Sequence, residues 1–198
     1  MRELALHITD LVENSIAAQS KTIHIEISED TTANRLKLAV IDDGVGMSEE
    51  MVKKITDPFF TSRTTRKVGL GIPLLKASAE SCNGFLEIKS KPGEGTQVLV
   101  EFQLDHIDRM PLGDLATTIR NLIICSPDVR FIINYSRDGR QFDLDTQPII
   151  EELDGLSLTE PAVLGFLREL ISEGITSVRN GKSQESSILE EAWTKSSH

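Results

Sequence analysis

Cysteine is nearly missing from this chain: Cys82 and Cys125 are the only two in 198 residues. Two thiols are too few for a disulfide framework, and they fit reduced side chains that fill apolar space in a cytosolic protein. Long apolar runs are also missing. None approaches the roughly 18 residues that a membrane helix needs, and no signal peptide opens the sequence. No membrane association is expected, and the expected location is cytoplasmic. Basic side chains are outnumbered, 21 against 31 acidic, for a formal charge of −10. The imbalance is steeper in the second half: residues 1–104 carry 12 basic and 15 acidic groups, residues 105–198 carry 9 and 16. Nonspecific binding to nucleic acid or an anionic membrane relies on basic surface, so neither partner is expected. Histidine is sparse, and His7, His24, His106 and His198 have no partner at metal-ligand spacing or in a nucleophile arrangement. His7, on a helix with Leu4 and Leu11, reads as a packed or surface residue rather than a phosphoacceptor.

What is present is concentrated in a few short stretches. The apolar run Leu36–Ile41 reads as a strand and ends in Asp42-Asp43-Gly44-Val45-Gly46-Met47. A carboxylate at a strand end beside two glycines gives a fixed charged acceptor next to backbone that a ligand can approach closely. Asp-Gly is also an ordinary turn signal, so the stretch has meaning only together with its neighbours.

Upstream, Leu4, Leu6, Ile8, Leu11, Val12, Ser15, Ile16 and Ala18 place most apolar residues on one face of a helix. Asp10 and Asn14, four apart, share a face. A carboxylate and a carboxamide together suit a hard cation such as Mg²⁺, which takes one or two protein oxygens besides waters and phosphates. A solvated polar stripe has the same spacing. Downstream, Asp57–Lys67 is a loop rich in Ser, Thr and basic residues that leads into Val68-Gly69-Leu70-Gly71-Ile72-Pro73 and a helix. Glycines at a helix start expose N–H groups where the dipole favours an anion, and Arg63, Arg66 and Lys67 add cationic donors. The segments 84–90 and 96–104 read as a hairpin joined by Lys91-Pro92-Gly93-Glu94-Gly95.

These pieces, in this order, resemble the ATP-binding domain shared by gyrase, the ninety-kilodalton heat-shock chaperone, sensor histidine kinases and the mismatch-repair ATPases, the GHKL superfamily. The resemblance covers residues 1 to about 104. It implies a two-layer α/β sandwich of the Bergerat type, with a mixed, mainly antiparallel sheet covered on one face by helices. It implies ATP or ADP with Mg²⁺ as ligands. Asn14 would be the metal-binding asparagine, Asp42 the acceptor of the adenine amino group, and Thr96 its support through water. Gly44, Gly46 and Met47 would form the adenine loop. Asp57–Arg63 followed by Val68–Ile72 resembles a histidine-kinase lid and second glycine motif, so that Phe60, Arg63, Lys67, Gly69, Leu70 and Gly71 would belong to the nucleotide site. Asp10 stands where hydrolysing branches carry glutamate as general base, and aspartate is one methylene shorter. Lys67-Val68-Gly69 lacks the extra glycine that many kinases place before the second glycine motif, and a helical hairpin bearing a phosphoacceptor histidine is not expected ahead of the domain.

The lid, residues 57–68, has few apolar anchors and is expected to order when phosphates recruit its cations. Beyond a connector at 105–111, helical spacing over 112–125, strands at 130–135 and 141–144 around Asp138-Gly139, and helices at 146–153 and 160–173 read as a smaller α+β module over 105–175. Residues 176–198 read as a disordered tail with a short helix at 188–193. The class is therefore α+β. Three functions remain open: a signalling ATPase or kinase domain acting on a separate protein partner, an ATP-hydrolysing conformational clamp, and a nucleotide sensor without turnover. The sequence leaves the partner and the oligomeric state open.

Overall fold

A computed structural model describes residues 3–56, 71–153, 158 and 160–181. The elements run α1 (Leu4–Ala17), β1 (Thr22–Asp30), β2 (Arg35–Asp42), α2 (Glu49–Ile55), α3 (Gly71–Ser81), β3 (Phe85–Lys91) and β4 (Gly95–Gln103). They continue with α4 (Leu115–Cys125), β5 (Arg130–Arg137), β6 (Arg140–Asp145), α5 (Thr146–Glu152) and α6 (Pro161–Asn180).

Local chemistry sets several of these boundaries. Ser48 caps α2 by accepting the Met51 N–H, and Glu49 and Glu50 in the first turn with Lys53 and Lys54 in the last complement the helix dipole. That short helix has no buried residue, so it lacks the apolar period that reveals a helix in sequence. Asp114 caps α4 and Asp145 caps α5. Asp138 and Gly139 both have positive φ, 49° and 81°, as a two-residue hairpin turn between β5 and β6 requires. Helix α6 runs to Asn180, past the expected end at 173, and Gly181 closes it in the left-handed conformation. Its apolar stripe continues through Gly174, Ile175 and Val178, all buried, so the five residues 176–180 assigned above to a disordered tail are helical. The short helix expected at 188–193 lies outside the described residues.

The six strands of the described residues form one sheet in the order β3-β4-β2-β1-β5-β6. Every pairing is antiparallel except β1 with β5, which is parallel from Thr22↔Arg130 to Glu29↔Arg137. The α+β content expected for residues 105–175 is there, but its two strands extend the sheet of the first half instead of forming their own. Period-two alternation buries Ile23, Ile25 and Ile27 on β1, Leu36, Leu38 and Val40 on β2, Val98, Val100 and Phe102 on β4, and Phe131, Ile133 and Tyr135 on β5. Helices α1, α3, α4 and α6 contribute the other half of this core, including Leu4, Ile8, Leu75, Ile119 and Leu167. Each such side chain contributes about 1.5–3 kcal/mol by leaving water. The opposite face carries His24, Glu26, Lys37, Asn134 and Asp143, which are partly or fully exposed.

The first and second halves are also bonded away from the sheet. Leu4 and Ala5 N–H groups at the start of α1 donate to the carbonyls of Pro111 and Leu112. At the other end, the buried Tyr135 hydroxyl donates to Glu29 Oε1 at 2.5 Å, while Arg179 of α6 donates to the same hydroxyl at 3.4 Å. Burial and the Glu29 bond push the Tyr135 phenol up to about 12. An acid whose folded pKa is raised contributes stability that is complete below its unfolded value. That contribution is lost as pH climbs through the folded one. Stability should therefore fall between pH 10, its ordinary value, and pH about 12. Tyr135 is the only tyrosine, so tyrosinate absorbance follows it alone. Tyr135→Phe should flatten this alkaline fall and cost about 1–3 kcal/mol in denaturant unfolding, because a buried carboxylate oxygen loses its donor.

Candidate functional site

The end of β2 and the loop after it are held from two sides. Asp42 leaves the strand on its helix-covered face, where Ser15 of α1 donates to its Oδ2 at 2.6 Å. The Gly44 N–H donates to its Oδ1 at 2.9 Å. Each carboxylate oxygen keeps a lone pair for a further donor. Ser15 is buried, and its side chain also lies 3.3 Å from the Leu11 carbonyl. Asp43 turns the other way and accepts the Lys21 and Thr22 N–H groups at 2.7 and 2.9 Å. Burial opposes ionisation of Asp43, but those backbone donors outweigh it and its pKa is lowered. The Val45 N–H donates to Ala18 O, and the Gly93 N–H donates to Val45 O. Thus the loop bridges the α1–β1 connector and the β3–β4 turn.

The turn side depends on Ser90 and Gly46. Ser90 Oγ accepts the Met47 N–H at 2.8 Å, lies 2.9 Å from the Gly95 carbonyl, and lies 2.9 Å from Thr96 Oγ1. Gly46 has φ +65°, and a Cβ there would stand 2.0 Å from the Lys91 carbonyl oxygen. Both the backbone angle and the close approach require glycine at that position.

Asp10 and Asn14 lie on α1, the helix whose Ser15 holds Asp42. Asn14 is exposed and Asp10 half-buried. A Cβ at Gly71, the first residue of α3, would stand 2.8 Å from Asp10 Oδ2. The Asp10 carboxylate therefore rests against the start of the helix that follows the lid. Burial raises the Asp10 pKa above its ordinary value, more than the nearby N-terminal charge lowers it. A carboxylate with a raised pKa is a stronger base at neutral pH. His7, one turn earlier, is buried, its pKa is lowered by burial first and by the N-terminal charge second, and its Nδ1 has no partner among the described residues. It is a neutral packed histidine.

Of the residues singled out in the sequence, the structure brings Asp42, Gly44, Gly46, Met47 and Thr96 to one end of the sheet. Asp10 with Gly71 lies on the α1–α3 side. Phe60, Arg63, Lys67, Gly69 and Leu70 lie outside the described residues. Sequence reasoning missed the roles of Ser15, Asp43 and Ser90. Two of these left a signal: Ser15 is a polar residue in the buried stripe of α1, and Ser90 follows Leu86 and Ile88 in the helix-facing phase of β3. Among the described residues, no group of three or more His, Cys, Asp or Glu side chains could hold a metal. One amide oxygen plus a polyphosphate is a donor set that suits Mg²⁺. No described helix is long and apolar enough to cross a membrane. Two open concavities of about 440 and 380 Å³ lie around Ser28, Ser136 and Gln141, away from Asp42.

Residues 2–106 match the family described as histidine kinase-, DNA gyrase B-, and HSP90-like ATPase. The chain belongs to that family, within the GHKL superfamily. A non-motile and phage-resistance protein of Caulobacter vibrioides is 32% identical over 111 residues, covering 52% of this chain and 13% of that protein. The sensor histidine kinase YkoH of Bacillus subtilis is 35% identical over 100 residues, covering 48% of this chain and 22% of that protein. The chain therefore spans only a small part of these relatives. The solved N-terminal domain of a DNA repair protein is similar in fold, with a TM-score of 0.54 and 17% identity over 74% of this chain and 53% of that one. That likeness covers a larger share of the chain than the family match over residues 2–106 does.

Gly46→Ala should separate the loop from the turn. A left-handed alanine alone costs about 1–2 kcal/mol. Gly93, with φ +79° and open space around it, isolates that term when changed to alanine. Thermal melts should show the Gly46 variant less stable than the Gly93 variant, and ADP titration should show at least about tenfold weaker binding for Gly46→Ala alone.

Proposed function

We propose that this chain binds ATP with Mg²⁺ and works as a histidine-kinase-like ATPase module on a separate protein in the cytoplasm. The observation that carries the reading is Asp42: a carboxylate fixed by Ser15 and the Gly44 N–H, with acceptor capacity left at the open end of the sheet. It would accept the exocyclic amine of adenine. Asn14 would hold Mg²⁺, which when bound supplies positive charge between the phosphates. Arg63, Lys67 and the Gly69–Gly71 segment would take the phosphate oxygens. The similarity to sensor kinases supports phosphoryl transfer as the wider role.

Asp10 favours a second reading, ATP hydrolysis that drives a conformational clamp. Its raised pKa and its place against Gly71 suit a base that takes the proton of an attacking water.

Incubation with γ-labelled ATP and Mg²⁺, with and without cell lysate, decides between them. A labelled partner protein supports the first reading, free phosphate without lysate the second, and binding with neither product a sensor. Under the second reading, Asp10→Asn should lower phosphate release by about a hundredfold or more with ADP affinity unchanged. Asp42→Asn should weaken ADP by at least about tenfold, since a charged acceptor becomes an amide. Equal ADP affinity in calorimetry refutes the adenine assignment. Asn14→Ala should lose ATP affinity in Mg²⁺ and keep that for adenosine; equal losses point instead to damage in α1.

A further inference from the structure

We propose that Ser90 makes this site selective for 6-aminopurines over 6-oxopurines by fixing the direction of the Thr96 hydroxyl. The inference rests on the nucleotide reading above and adds to it a residue and a specificity.

Ser90, Thr96 and Asp42 stand side by side on β3, β4 and β2, where Ser90 pairs with Thr96 and Thr96 with Asp42. All three side chains point to the helix-covered face, in phase with Ile88, Val98 and Val40. A serine hydroxyl has one hydrogen and two lone pairs. Ser90 Oγ has three partners: the Met47 N–H, the Gly95 carbonyl and the Thr96 hydroxyl. The first can only donate and the second can only accept. Ser90 therefore spends its hydrogen on Gly95 O and one lone pair on Met47. A single lone pair is left for Thr96, which must donate into it.

The consequence lies on the other side of Thr96. With its hydrogen turned toward β3, Thr96 Oγ1 offers only lone pairs to the ligand. Its neighbour across the strands, the Asp42 carboxylate, also only accepts. Two adjacent acceptors match the two hydrogens of an exocyclic amine when contacted directly, and a water bridging them gives both of its hydrogens to them and again presents only a lone pair to the ligand. A 6-oxo group, itself an acceptor, would face both without a donor, and an unpaired buried acceptor is costly. Were Ser90 absent, the Thr96 hydroxyl could rotate and donate toward that oxygen. Ser90 is thus a positioning residue that acts through Thr96.

The test is calorimetric titration of ADP and inosine diphosphate, each with Mg²⁺, into wild type, Ser90→Ala, Ser90→Thr and Thr96→Val. Wild type should prefer ADP. Ser90→Ala should reduce the ratio of the two affinities by about tenfold, the effect of about one hydrogen bond, and Ser90→Thr should restore it. A merely structural Ser90 would weaken both ligands equally and leave the ratio unchanged, which overturns the proposal. Thr96→Val covers the case of a poorly folded Ser90→Ala: it should weaken ADP and spare inosine diphosphate, and equal losses again overturn the inference. If wild type binds neither ligand, the nucleotide reading itself fails, a result distinct from an unchanged ratio in a protein that binds ADP.

Discussion

Strand β1 is the element on which the rest of the molecule depends. It pairs antiparallel with β2 on one side and parallel with β5 on the other, so it joins the two halves of the chain through backbone hydrogen bonds. Ile23, Ile25 and Ile27 are at most 1% exposed. A one-residue slip would turn all three to the polar face, so the register of the whole sheet is fixed at its centre. Each end of β1 also meets a buried or hydrogen-bonded carboxylate. At one end the Lys21 and Thr22 N–H groups hold Asp43 and with it the loop after β2. At the other, Glu29 accepts from Tyr135, which Arg179 of α6 also contacts.

The site follows from that anchoring. Its loop carries no regular structure between Asp42 and Glu49, yet its backbone groups are spoken for on both sides, by Ala18 toward α1 and by Ser90 and Gly93 toward the β3–β4 turn. Ordering is thereby done before a ligand arrives, which lowers the entropy lost on binding. Around Asp10 and Asp42 the chain offers acceptors, in keeping with a protein of net charge −10.

Legibility in the sequence varied with how local the cause was. The helix at Leu4–Ala17, the hairpin of β3 and β4 and the one at Asp138-Gly139 were readable because period and turn chemistry are contiguous signals. Asp42, Gly46 and Thr96, singled out by resemblance, lie together at one end of the sheet. Helix α2 was not readable, since it buries nothing and so shows no apolar period. The expected helix at 160–173 ends one residue before Gly174, and α6 runs on to Asn180. In the structure Gly174 is a packing site, where a Cβ would meet the Phe142 ring at 2.2 Å.

The sequence by itself determined the apolar faces of α1, α4 and α6, the two hairpins at 84–104 and 130–144, and that a carboxylate and two glycines stand at the end of β2. Those follow from side-chain chemistry repeated along a few neighbouring residues. Only the tertiary structure decided that β5 lies beside β1, that Asp10 meets Gly71, and that Ser90 satisfies Met47, Gly95 and Thr96 together. The reason is physical: these contacts join residues far apart in the chain or across a turn, and no short-range period encodes which strand edges and which hydroxyls meet once the core has closed.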